Sequence, residues 1–135
     1  MHHFSVLYTT AIADIAVVDD DESIREALQS LLRSVGFRAA VCASAEDFLQ
    51  SSQLMDTACL IVDVRMPGMS GLELQRQLAT AHCPIPLIFI TAHGDAETRV
   101  QALSAGAIAF LDKPFSDAVL LSAVHTALKS SRDGE

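Results

Sequence analysis

A few polar side chains stand where the sequence would otherwise finish an apolar run. Asp63 ends the uninterrupted run 58–62, and Met66-Pro67-Gly68 then prevents any strand from continuing. Asp19 and Asp20 follow the run 12–18, Thr91 follows 87–90, and Lys113, one of only two lysines, comes just after 107–111. Carboxylates ~5 Å apart repel by about 3 kcal/mol per pair at an effective dielectric of ~20, so a cluster of three calls for a compensating charge. A hard divalent cation supplies one: Mg2+ (or Mn2+) prefers oxygen ligands, takes few protein carboxylates and keeps waters or phosphate oxygens in its other positions. Lys113 adds a compact point charge that can pair with Asp63 at rest and with a phosphoryl oxygen later. With its charge so offset, Asp63 can attack phosphorus and form an acyl phosphate, while the Thr91 hydroxyl and nearby backbone N–H groups meet another phosphoryl oxygen. Each residue alone also has an ordinary reading. Asp63 can cap the turn after it, Thr91 can be a turn residue, and Lys113 can be a solvated charge.

For these residues to meet, the chain must bring several strand ends to one edge. The strand segments are 12–18, 37–43, 58–63, 87–90 and 107–111. Runs apolar at every position, as in 58–62, indicate strands covered on both faces of a parallel sheet. Between them lie amphipathic helices. The first carries Ile24, Leu28, Leu31, Leu32 and Val35, with Ser23 and Glu26 spaced as a capping box and Gly36 as a stop. A short helix opens at Ser44, a third spans about 71–81 with Leu72, Leu74 and Leu78 as its apolar positions, and a fourth spans 96–105 before Gly106. Ser116 caps the last, which carries Val119, Leu120, Val124 and Leu128, and 130–135 frays. Five alternations of strand and helix imply right-handed crossovers and a parallel sheet with helices on both faces. The carboxyl ends of all strands then share one edge, where ligands bind in open α/β sheets.

Composition narrows the field. At 135 residues the chain fits one domain, 12–129, with an extension at 1–11 and a tail at 130–135. Half of its residues are hydrophobic and 19% are charged, which excludes a disordered chain. No apolar run reaches the ~20 residues of a membrane span. A formal net charge of −8 argues against direct contact with nucleic acid, whose phosphates need clustered Lys and Arg. Cys42, Cys59 and Cys83 form no CxxC motif and are odd in number; Cys42 and Cys59 lie in apolar runs as small core residues, and a reducing, cytoplasmic setting is expected. Ala11-Ile12-Ala13 echoes a signal-peptide cleavage site, but no basic residue precedes it and Thr9-Thr10 interrupts the apolar part, so no secretory signal is expected.

Four segments in order carry a family resemblance: Val17-Val18-Asp19-Asp20, the stretch from Leu60 through Asp63 to Gly68, the stretch from Ile90 through Thr91 to Asp95, and Asp112-Lys113-Pro114-Phe115. Over about 12–129 the chain resembles the receiver domains of two-component response regulators, and most of all FixJ-like receivers. The resemblance implies an α/β, flavodoxin-like fold whose five parallel strands run in the order 2-1-3-4-5. It makes Asp63 the phosphoacceptor, with Lys113 and Thr91 assisting. Asp19, Asp20, Asp63 and the Arg65 backbone carbonyl are then the ligands of Mg2+. Thr91 and Phe110 become a switch pair; Phe110 lacks a tyrosine hydroxyl, so its two positions would differ by packing, and a plain core Phe is the alternative. The Lys113–Pro114 bond is expected to be cis. The implied partner is a sensor histidine kinase, with homodimerisation through the fourth helix and fifth strand on phosphorylation. DNA is reached only through an output domain that this chain does not contain, and transcription is the implied output. Such a domain is a stoichiometric acceptor with slow self-dephosphorylation, not a classical enzyme.

Three rivals use related parts. A phosphatase of the haloacid-dehalogenase type needs a second acid two residues after the nucleophile, where this chain has Arg65. A pseudo-receiver scaffold usually lacks part of the acid–lysine set, which is complete here. A flavodoxin-like electron carrier needs a Ser/Thr/Gly phosphate loop after the first strand, where Asp19-Asp20-Asp21-Glu22 stands instead.

Overall fold

Strands form where buried apolar residues run without a break. The computed structural model describes residues 14–133. Its strands are β1 (Asp14–Val18), β2 (Arg38–Cys42), β3 (Cys59–Asp63), β4 (Leu87–Thr91) and β5 (Ala109–Asp112), all parallel and in the order β2-β1-β3-β4-β5. Every residue of β3 and β4 is buried, as a doubly covered strand requires. The helices are α1 (Glu22–Ser34), α2 (Ala45–Leu49), α3 (Gly71–Thr80), α4 (Ala96–Ser104) and α5 (Asp117–Asp133), with a single 3-10 turn at Leu54–Asp56.

Because side chains alternate along a strand, each strand feeds two cores. Leu60, Val62 and Phe89 face Phe48 of α2, Leu74 and Leu78 of α3 and Ala102 of α4. Cys59, Ile61, Ile88 and Ile90 face Leu28 and Leu32 of α1 and Leu120 and Val124 of α5. Fully burying one such Leu or Ile contributes about 1.5–3 kcal/mol, so the two layers hold the sheet from both sides. Among the described residues no helix is long and apolar enough to cross a membrane.

Helix ends show where local signals were read differently. Ser23 and Glu26 do not cap α1. Asp21 does, its Oδ1 accepting from Ser23 N at 2.9 Å, Ile24 N at 3.4 Å and Ser23 Oγ at 2.7 Å. The helix therefore starts at Glu22, which puts Glu26 too far along to reach the capping residue. A true capping box opens α3: Glu73 N donates to Ser70 Oγ at 3.1 Å and Ser70 N to Glu73 Oε1 at 2.8 Å. At the other ends, Gly36 (φ 99°), His82 (φ 56°) and Gly106 (φ 104°) take left-handed conformations. In each case the next amide reaches back to the helix, Phe37 to Leu32, Cys83 to Leu78 and Ala107 to Ala102. Val35 is consequently the residue at which α1 ends, and it is exposed rather than inward. Val119 also points out. Helix α5 continues to Asp133 instead of fraying at Ser130, since no helix breaker precedes Gly134. The extension 1–11 and the segment weighed as a signal peptide lie outside the described residues.

Candidate functional site

Sheet order and register decide what meets. Val18 pairs with Val62, Asp63 with Ile90, and Thr91 with Asp112, so the carboxyl ends of β1, β3, β4 and β5 finish level. Backbone bonds extend this rim by one step: Val64 N donates to Ile90 O at 3.1 Å and Lys113 N to Thr91 O at 2.7 Å. Asp19, Asp63 and Thr91 are buried there, while Asp20 stays exposed. From beyond β5, Lys113 reaches across to both inner acids: its Nζ lies 3.1 Å from Asp19 Oδ2 and 3.1 Å from Asp63 Oδ2. The sequence reading paired this ammonium with Asp63 alone.

Each inner carboxylate has a backbone donor on its other oxygen. Asp19 Oδ1 accepts from Asp21 N at 2.9 Å, and Asp63 Oδ1 from Arg65 N at 3.1 Å. Arg25 adds positive charge behind the cluster by donating to the Asp19 carbonyl at 2.8 Å. Burial pushes the Asp19 carboxyl above its ordinary range; the Asp63 charge pushes the same way, and the Asp21 amide and Lys113 hold it back. For Lys113 burial is the largest single influence and presses its pKa down, but the bonds and charges of Asp19 and Asp63 together outweigh it and leave the ammonium raised.

One oxygen each from Asp19, Asp20 and Asp63 lies within 4.8 Å of the others. All are hard donors, no histidine or cysteine joins them among the described residues, and exposed Asp20 leaves coordination positions open to water. That donor set fits an Mg2+-class cation rather than a thiolate- or imidazole-seeking metal. Arg65 meets the cluster through its backbone amide.

Around the acids stands a second ring of contacts. Thr91 Oγ1 accepts from His93 N at 3.3 Å. Phe110 is buried, its ring centroid 6.3 Å from that of Phe89. Gly94 must be a glycine for space: a Cβ there would lie 2.7 Å from Phe110 Cε1, 2.7 Å from Asp112 Oδ1 and 2.9 Å from Thr91 Cγ2. Glu46 of α2 holds the loop after β3, its Oε2 accepting from Met69 N at 3.0 Å. Arg99 of α4 lies over the Phe110 ring. Glu46 and Arg99 carry no sequence signal of these contacts, whereas Gly94 stands inside the segment from Ile90 to Asp95. The Lys113–Pro114 bond is cis, as expected, and His93 is an exposed loop residue.

Residues 15–125, which contain this whole rim, match the family described as response regulator receiver domain. The chain belongs to that family. The receiver domain is 51% identical over 115 residues to the response regulator protein TmoT of Ectopseudomonas mendocina, covering 85% of this chain and 52% of TmoT. It is 41% identical over 119 residues to the transcriptional regulatory protein FixJ of Azorhizobium caulinodans, covering 88% of this chain and 56% of FixJ. Among solved structures, the response regulator StyR superposes with a TM-score of 0.84 at 47% identity, covering 90% of this chain and 61% of that one. FixJ-N superposes with a TM-score of 0.78 at 40% identity, covering 87% and 94%. The receiver domain spans about half the length of the curated relatives it matches.

Proposed function

We propose that this receiver domain is a phosphorylation-controlled switch, with Asp63 accepting the phosphoryl group of a sensor histidine kinase. The observation that carries the proposal is the single ammonium of Lys113 held at equal distance from buried Asp19 and Asp63. In the transfer, a carboxylate oxygen of Asp63 attacks phosphorus, the P–N bond to the kinase imidazole breaks, and the imidazole nitrogen leaves with the electron pair. Later a water attacks the phosphorus of the acyl phosphate, returning Asp63 as a carboxylate with release of inorganic phosphate. The domain is thus consumed and reset rather than turning over as an enzyme.

Asp19, Asp20, Asp63 and the Arg65 carbonyl are the residues that would hold Mg2+ (or Mn2+), which when bound offsets the negative charge of the phosphoryl oxygens. Lys113 Nζ exchanges its Asp63 oxygen for a phosphoryl oxygen. The Thr91 hydroxyl turns to the phosphoryl group, and Phe110 follows Thr91 by repacking, so that the face made by α4 and β5 changes. A switch of this kind shifts a population only as far as the phosphoryl group contacts one state better than the other. The same face is the proposed homodimer surface, in a cytoplasmic protein. Relatives described as transcriptional regulators, about twice as long, support a DNA-binding output domain beyond the receiver domain.

Incubation with acetyl phosphate and Mg2+, followed by mass mapping, tests the reading. One phosphoryl group on Asp63, lost in Asp63→Asn and absent with EDTA, is the expected result. Labelling at another residue, or equal labelling of Asp63→Asn, would overturn it.

A further inference from the structure

Phe110 lacks the phenolic hydroxyl that could anchor an aromatic switch residue by a hydrogen bond of its own. Something else must set the balance between its positions. Phe110 lies inward, only 4% exposed, and a Cβ added at Gly94 would meet both its ring and the Thr91 methyl. On it sits Arg99, from the first turn of α4: the guanidinium carbon is 5.6 Å from the ring centroid, and Nη1 donates to the Phe110 carbonyl at 3.1 Å. One side chain thus grips both the ring and the backbone of the same residue. A guanidinium over an aromatic face is attracted by the ring quadrupole, and its fixed planar fork loses little freedom in making the second bond.

Helix α4 is in turn fixed at its start. Asp95 caps it, accepting from Thr98 N at 2.7 Å, and the Asp95 carboxylate lies 3.6 Å from the Arg65 guanidinium, two residues past Asp63. The first turn of α4 is therefore bonded to β5 through Arg99, with only an exposed ion pair facing the loop after β3. A shift or rotation of α4 that moves Arg99 must give up its hold on Phe110, and an outward swing of Phe110 must displace Arg99.

We infer that Arg99 is a positioning residue of the switch, holding the Phe110 ring inward and coupling its position to the setting of α4. This rests on the reading of Thr91 and Phe110 as the elements that respond to Asp63. A merely solvated arginine that happens to lie over a ring would leave the ring's equilibrium untouched, and that is the distinction to measure.

The test uses the whole chain labelled with para-fluorophenylalanine. The Phe110 signal, one of six, is assigned by its loss in Phe110→Leu. Saturation-transfer fluorine NMR reads the minor, outward ring population, and the H2O/D2O isotope shift reports its solvent exposure. Arg99→Gln keeps a donor for the carbonyl but loses the cation, and should raise the outward population roughly three- to ten-fold. Arg99→Lys keeps the charge and should give a smaller change. A Phe110 signal and isotope shift identical in wild type and Arg99→Gln would overturn the inference. Wild-type protein that fails to label on Asp63 would instead overturn the underlying reading of the site, whatever Arg99 does.

Discussion

Replacing Lys113 by Met removes one charge while keeping most of the side-chain volume, and the consequence can be worked from distances. Each 3.1 Å contact of Nζ with Asp19 or Asp63 is a gross attraction of about 5 kcal/mol at an effective dielectric of ~20. The carboxylates, with oxygens within 4.8 Å, repel by about 3.5 kcal/mol on the same scale. Desolvation of the ammonium cancels much of the attraction, and removing one partner of a buried pair costs about 3–5 kcal/mol net. Because the Lys113 side chain is 18% exposed, solvent screening places the expected loss lower, at about 2–3 kcal/mol. Urea unfolding of Lys113→Met in EDTA near neutral pH should show that loss, roughly an 8 °C fall in Tm. Two further readouts separate electrostatics from packing. Since Nζ and a cation compete for the same oxygens, the variant should bind Mg2+ about ten-fold more tightly, so the stability gap should shrink as Mg2+ is added. The gap should also shrink in acid. Asp19 already has a raised carboxyl pKa, first through burial and then through the Asp63 charge, and losing Lys113 raises it further. A folded state that binds a proton more readily than the unfolded chain gains stability as pH falls from the raised folded value toward 3.8. A variant within about 0.5 kcal/mol of wild type in EDTA, with unchanged Mg2+ affinity, would refute the account of Lys113 as the counter-charge.

Gly94→Ala forces a Cβ to within 2.7 Å of the Phe110 ring and of Asp112, so a loss of about 1–3 kcal/mol with a displaced Phe110 fluorine signal is expected; an unmoved signal would contradict the packing argument. The Glu73 carboxyl, held below its ordinary value of 4.5 by the backbone and then the hydroxyl of Ser70, contributes stability above 4.5 that is lost as pH falls through its folded value. Carbon-detected NMR titration should show that depression and its partial loss in Ser70→Ala. The Cys59 thiol, pushed up to about 12 by burial, should resist alkylation in the native fold and react in urea. Its raised pKa also means that the fold loses stability as pH rises past 9.0, where the unfolded thiol ionises first.

The sheet was legible because residues 59–62 and 87–90 are apolar at every position, and a pattern of that kind has few other homes. The rim was legible for the same reason: a polar residue placed directly after such a run can only stand at its end. Strand order was not readable from periodicity and came from the four ordered motifs. The Ser23/Glu26 spacing misled because Asp21, two residues earlier, competes for the same amides and sits where the chain is still extended. The matching pattern at Ser70/Glu73 was equally visible and is real, so spacing alone does not decide a cap. Val119 fits the apolar period of α5 yet faces solvent, since the pattern marks a stripe without saying how wide the opposing surface is. Arg99 over Phe110 depends on the rotational setting of α4 against β5, which no local rule carries. The Glu46–Met69 bond likewise joins α2 to a distant loop.

Lys113's position in that sheet order would let one ammonium serve both states of the proposed switch. It follows β5, yet its partners end β3 and β1, so its stem must span the end of β4, where Thr91 lies. Three carboxylates against one ammonium leave a surplus of negative charge that a divalent cation can neutralise. On the proposed chemistry, forming the acyl phosphate converts the Asp63 carboxylate into a neutral mixed anhydride and places a charge of about −2 on the phosphoryl oxygens. The attraction that held Nζ to Asp63 is then redirected to an oxygen farther from the sheet, while its bond to Asp19 continues to anchor it. Thr91, bonded through its carbonyl to the Lys113 amide, is the neighbour best placed to follow. Resting stability and responsiveness to phosphorylation therefore draw on the same charges, and a substitution that relieves the acid repulsion should stabilise the resting fold while weakening the switch.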